Sequence, residues 1–137
     1  MTDPDWPSRH AEPGQSPGFR LWRDFMRWQR GLNTVLRPLG LTQPQFAALA
    51  VVGWLTRSTA TTSQQVVIDL SNLDRMHVSQ LLTRLERDGL IRRETAASDH
   101  RAKDLSLTPL GRETLARALP LVEAFDAEFF ASPPRPA

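Results

Sequence analysis

The sequence predicts a mainly α-helical fold with one small β-hairpin, and three observations predict it. Apolar residues recur at spacings of three and four in successive segments, the period of a helix with one buried face. Late in the chain, two short stretches, "LIRRE" and "KDLSLT", read as strands, and the second alternates apolar with polar residues. Capping residues, glycines and prolines fall at the edges of the helical segments.

Bulk properties bound the problem. A chain of 137 residues favours one domain with a modest core, and 40% apolar residues is ordinary globular usage. No run reaches the roughly 18 consecutive apolar residues of a membrane span. The start, "MTDPDWPSRHAEPGQSPG", is acidic and proline-rich rather than basic and then apolar, so a cytoplasmic, non-membrane protein is expected. The absence of cysteine excludes disulfides and thiolate metal sites. The net charge of +2 is a weak argument for a polyanionic partner, and no block of like charge stands out. All but one of the basic residues, Lys103, are arginine. Arginine suits bidentate contacts to phosphate and guanine, although a GC-rich genome gives the same bias.

Residues 1–18 read as a flexible tail. A helix follows from about Phe19 to Leu36, with Trp22, Phe25, Met26, Leu32, Val35 and Leu36 on its stripe and Arg23, Arg27 and Arg30 between them. Pro38 and Gly40 end it. Phe19, Leu21 and Trp28 add apolar surface outside the stripe, which suits either a second, partner-facing side or a wide core face. The second helix opens at "LTQPQFAALAVVGWL", where Thr42 and Gln45 have the spacing of a capping box. The third opens at "TSQQVVIDL" in the same manner, with Thr62 as cap and Gln65 as its reciprocal partner. "SNL" then turns the chain. Asp74 caps the fourth helix, because its carboxylate accepts from the exposed amides there.

Val78, Leu81, Leu82 and Leu85 form the buried stripe of that fourth helix. Its other side carries Met76, Gln80, Thr83 and Arg87, flanked by Ser79 and Arg84. Gly89 stands where a left-handed residue closes a helix, with Leu90 as the apolar contact beyond it. The two short strands are separated by "TAASDHRA", too long for a two-residue hairpin. Thr108 and Pro109 start a fifth helix with the stripe Leu115, Leu119, Val122, Phe125 and Phe129, and Pro120 is expected to bend it.

Two short helices, a turn, a third helix and a hairpin describe a winged helix-turn-helix, whose second motif helix fits a DNA major groove. The groove-facing candidates are Arg75, Met76, His77, Ser79, Gln80, Thr83, Arg84 and Arg87. Gln pairs bidentately with adenine, Arg with guanine or phosphate, and Met76 or the Thr83 methyl suits a thymine methyl. The plain alternative is a solvated polar face.

Four stretches carry a family resemblance: "LTQPQFAALA", "LDRMHVSQLLTRLERDGLIRR", "SDHRAK" and "LSLTPLGRETL". In this order and spacing they are similar to the MarR family of bacterial transcriptional regulators, over roughly Trp22 to Phe130. The resemblance implies a single domain over 19–137. Its DNA-binding lobe would span about 42–108 and its dimerisation helices about 19–38 and 109–130. It implies a homodimer on an imperfect palindrome of double-stranded DNA, more often a repressor than an activator. It also implies release from DNA by a small aromatic or phenolic acid. The family's Asp-x-Arg wing pattern falls on Asp99-His100-Arg101: Arg101 would reach the minor groove or backbone, Asp99 would support the wing's arginines, and Lys103 would join the DNA-binding residues. For the effector, the resemblance points to Trp22, Arg23, Met26 and Trp54, with Arg27 as a second carboxylate partner. Family members usually continue into a sixth helix. Here the chain stops at "SPPRPA", so a weakened dimer is expected, or a shortened regulator that pairs with a relative and does not bind operators alone.

No enzyme is expected. Asp74, His77 and Ser79 share one helix start without a nucleophile turn. His10, His77 and His100 are too scattered for zinc, and no phosphate-cradling glycine loop is present, so no metal or cofactor is expected.

Overall fold

Ser16 starts the first helix: its hydroxyl accepts from the Phe19 amide at 3.3 Å, and proline occupies the first helical position, so α1 runs Pro17–Leu36. In this computed structural model, residues 5–96 and 103–131 are described. The helix therefore begins two residues before Phe19. A 3-10 turn at Pro13–Gln15, boxed by Glu12, precedes it within the segment read as tail. Another at Arg37–Leu39 ends on Gly40, whose φ of 73° suits glycine.

The second helix, α2 (Gln43–Leu55), has the expected box: Thr42 accepts from the Gln45 amide while the Gln45 side chain accepts from the Thr42 amide. The third does not. Thr62–Ser63 form a short strand, β1, and Ser63 rather than Thr62 caps α3 (Gln64–Ser71) by accepting from the Val66 amide. A two-residue strand has no period to read, which is why the sequence shows two strands where the sheet has three.

Asn72 takes the left-handed conformation, φ 59°, and turns the chain into α4 (Arg75–Arg87), the second helix of the helix-turn-helix. Asp74 accepts from the His77 amide at 2.7 Å, as its cap position requires. At the far end Gly89 has φ 76°, its amide donates to Glu86, and the Leu90 amide donates to Leu85 at 2.9 Å. This is the paired-bond helix stop expected of Gly-Leu. The chain then enters β2 (Ile91–Thr95) and returns in β3 (Lys103–Leu107), which pairs antiparallel with both β2 and β1. Finally α5 (Pro109–Ala131) passes through Pro120 as one helix; Pro120 and Ala116, whose carbonyl the ring deprives of a donor, both lie on its exposed side.

The core lies where α1, α2, α4 and α5 meet the sheet. Leu32, Leu36, Leu49, Val52, Val78, Leu82, Leu85 and Leu105 are buried in one cluster. Its effect on the site is direct: Val78, Leu81, Leu82 and Leu85 anchor α4 by one face and leave the other outward.

Candidate nucleic-acid interface

The outward face of α4 presents Met76, Gln80, Arg84 and Arg87, all exposed, with His77, Ser79 and Thr83 half-buried at its margins. Met76 is 72% exposed, so packing does not require it. Together with Gln45 of α2, the residues His77, Ser79, Gln80, Thr83, Arg84 and Arg87 surround a shallow polar concavity. Gln45 thus has two roles, its side chain closing the Thr42 cap and bordering the concavity.

Several of these groups are held. Arg75 Nη2 donates to Gln65 Oε1 at 2.6 Å, and the Gln65 amide in turn donates to Asp69. So Gln65 is not the capping partner of Thr62; it steadies the arginine at the start of α4. Arg84 Nε donates to Asp88 at 3.1 Å, an exposed pair one turn apart worth only tenths of a kcal/mol, roughly, so the guanidinium is free to exchange partners. Thr83 Oγ accepts from Arg93 Nη2 at 3.1 Å, which ties this margin of the helix to the sheet.

In the wing, Lys103 Nζ donates to Thr95 Oγ at 3.2 Å across the β2–β3 pair, with its ammonium exposed. Arg92 and Glu94 form a loose exposed pair at 3.8 Å. Asp99, His100 and Arg101 lie outside the described residues.

The expected effector residues are not brought together within one chain. Trp54 lines an apolar recess with Ala50, Val51, Gly53, Leu70, Leu115 and Leu119, and the Arg57 guanidinium stacks 3.5 Å over its ring. Trp22, Arg23 and Met26 do not line it. They sit on the exposed first half of α1, where Arg23 leans over Phe19 and Arg27 pairs with Asp24 at 2.6 Å. The apolar surplus is also redistributed. Trp28, which suited either a partner-facing side or a wide core face, turns inward with Phe125 of the α5 stripe: Trp28 Nε1 donates to Asp126 and Phe125 packs against Gly31. Leu21, Trp22, Phe25 and Met26 are exposed instead. The sequence reading missed the roles of Gln65, Glu86 and Arg93, whose partners lie on other elements, and that of Arg57, which stacks on Trp54 three residues earlier.

Residues 40–125 match the family model described as ArnR1-like, winged-helix domain. The HTH-type transcriptional regulator YdcH of Bacillus subtilis is 36% identical over 128 residues, covering 93% of this chain and 87% of the relative. The chain belongs to the MarR family of winged-helix transcriptional regulators. Among solved structures, the Mycobacterium tuberculosis regulator MOSR in complex with DNA is similar with a TM-score of 0.74 and 30% identity, over 86% of this chain and 83% of that one. A MarR family protein of the same organism, in complex with p-aminosalicylic acid, is similar with a TM-score of 0.64 and 26% identity, over 85% of each chain. The match of this MarR-family chain to the winged-helix model begins at the turn before α2 and ends within α5. It contains the helix-turn-helix and all three strands, and leaves α1 outside. Among the described residues, no helix is long and apolar enough to cross a membrane.

Proposed function

We propose that the protein is a homodimeric repressor that binds an imperfect palindrome in double-stranded DNA and is released by a small aromatic acid. The observation that carries this reading is the two-sidedness of α4: one face locked into the core, the other exposing Met76, Gln80, Arg84 and Arg87 with no packing role. In the major groove, Gln80 reads adenine and Arg84 or Arg87 reads guanine, while Met76 and the Thr83 methyl lie against thymine methyls. Arg75, steadied by Gln65 at the helix start, together with His77 and Ser79, contacts phosphate and fixes the register. Lys103 and Arg101 follow the backbone into the neighbouring minor groove, with Asp99 supporting the wing. The similarity to a DNA-bound regulator supports the reading.

The similarity to a relative in complex with p-aminosalicylic acid supports an effector of that chemical class. The Trp54 recess, apolar with the Arg57 cation at its rim, suits a planar ring carrying a carboxylate. Trp22, Arg23 and Met26 take part only if a second chain brings α1 to it.

The test is a gel shift of the purified protein on tiled fragments of its own promoter, followed by titration with benzoic, salicylic and cinnamic acids. Specific retardation of one fragment, reversed by one of the acids, is expected. Uniform weak retardation of all fragments overturns the repressor reading, and specific binding unmoved by every acid overturns the effector.

A further inference from the structure

The "RR" that ends the fourth-helix stretch is two residues with opposite fates. In β2, successive side chains leave opposite faces of the sheet. Ile91 pairs with Leu107 and Arg93 with Leu105, a residue with no exposed surface, so Arg93 shares the inward face of the hairpin. Arg92 points the other way, into solvent. An arginine on an inward face needs partners for its donors, and Arg93 has them. Nε donates to Glu86 Oε1 at 3.2 Å, and Nη2 donates to the same oxygen at 2.9 Å and to Thr83 Oγ at 3.1 Å. Its side chain is only 18% exposed. Thr83 and Glu86 are one turn apart on α4 and flank the reading face. One planar guanidinium therefore bolts the hairpin to the helix from the side.

We infer that Arg93 is a positioning residue: by clamping Glu86 and Thr83 it fixes the wing's pose on the recognition helix, so that helix and wing engage neighbouring grooves as one rigid piece. This rests on the DNA-binding reading above, but the clamp itself is a property of the free protein. With two donors on one carboxylate oxygen, a third bond to a hydroxyl and a guanidinium mostly out of water, Arg93 is held more firmly than the arginines of the exposed Arg84–Asp88 and Arg92–Glu94 pairs nearby. The backbone connection, Asp88 to Leu90, is held from the end of β3 by Thr108, which donates to Gly89 O at 2.6 Å, but that bond fixes the base of the hairpin and not its angle on the reading face. Because Arg93 faces the helix, it is not itself a DNA contact, and that distinguishes it from Arg75, Arg84 and Arg87.

The experiment compares wild type, Arg93→Ala and the exchanged pair Glu86→Arg/Arg93→Glu. The exchange keeps an ion pair, and the Thr83 hydroxyl, which accepts from Arg93 in the wild type, donates to the new carboxylate. The first readout is amide hydrogen exchange in the free protein. In Arg93→Ala, residues 92–95 and 103–106 are expected to exchange about tenfold faster or more, with α2 and α5 unchanged, and the exchanged pair restores protection. The second is affinity for the promoter fragment: about a tenfold loss in Arg93→Ala, regained in the exchanged pair. A DNA-contacting Arg93 behaves oppositely, because a glutamate there repels phosphate and deepens the loss. Unchanged wing exchange in Arg93→Ala, or an exchanged pair that binds worse than the single variant, overturns the inference. A wild type that binds no fragment overturns the DNA-binding reading instead, and the exchange measurement still decides the clamp.

Discussion

Trp28 Nε1 donates to Asp126 Oδ1 at 2.8 Å, joining α1 to α5 across 98 positions of sequence. The bond sits beside Phe125, whose ring lies so close to Gly31 that an added methyl at position 31 would overlap it. The two flanking helices are thus locked to each other within one chain before any partner arrives. Trp28→Phe keeps most of the apolar contact and removes the donor. It is expected to cost about 1 kcal/mol in urea unfolding, and Asp126→Asn, whose amide oxygen still accepts, much less. Equal losses in the two variants would show that the hydrogen bond is not what matters.

Gly111 makes a sharper case. It is the third residue of α5 and is buried where the helix start docks on the Leu90 backbone: an added Cβ would overlap the Leu90 carbonyl oxygen. Thr108 holds the same junction, donating to Gly89 O at 2.6 Å while its oxygen accepts from the Gly111 amide. Alanine is favoured over glycine in a helix by about 1 kcal/mol, yet Gly111→Ala is expected to lower stability by about 1–3 kcal/mol, because backbone must move. A melting temperature equal to or above wild type would refute the close approach.

These two junctions show what the sequence could and could not reveal. The caps at Thr42 and Asp74, the Gly89-Leu90 stop and the buried stripe of α4 are local patterns, each contained in a few residues, and they are as the periodicity predicts. The third strand was illegible because Thr62–Ser63 is defined only by its pairing with Leu105 and Asp104. For the same reason Gln65 resembled a capping partner: the spacing is right, but Ser63 is nearer the turn and Arg75 competes for the Gln65 oxygen. Arg93 was visible as a residue and not as a role, since an arginine doublet after an apolar pair gives no sign of which member faces inward until the strand register is known. The surplus aromatics of α1 and α5 were countable, but their division between intrachain and outward faces needed the helix pair itself.

Gln80→Ala and Arg84→Ala are each expected to cost about 1–3 kcal/mol on the specific fragment and to relax preference at one or two base positions. Circular dichroism should be unchanged, because both side chains are exposed and Arg84 gives up only a surface pair. A selection of binding sites from randomised DNA measures the preference. Identical affinity and identical selected sites in both variants would remove these residues from base reading.

Arg101→Ala is expected to act differently. A lost phosphate contact weakens binding to all sequences alike and reduces the log–log slope of affinity against salt by about one unit. Lys103→Ala should do the same, and its exposed ammonium makes the change neutral for folding. A changed sequence preference with an unaltered slope would make Arg101 a base reader.

The association state follows from the exposed half of α1. Leu21, Trp22, Phe25 and Met26 occupy one face of that helix, and Leu21 is 73% exposed. Four large apolar side chains at this spacing form a continuous patch of the kind that marks a protein interface. Selectivity in a genome also requires two recognition helices, set about 34 Å apart for successive turns of one DNA face. A homodimer joined through α1 satisfies both conditions. Phe25→Glu places a carboxylate in the middle of the patch, where burial without a partner is costly. It is expected to raise the dimer dissociation constant by about tenfold or more while leaving the monomer's circular dichroism intact. Binding to a two-fold site should then fall much further than binding to an isolated half-site, because only the former needs both subunits. Sedimentation at micromolar concentration checks the first expectation and gel shifts on the two sites check the second. A wild type that sediments as a soluble monomer would reject the homodimer, and a Phe25→Glu variant that stays dimeric would move the interface away from α1.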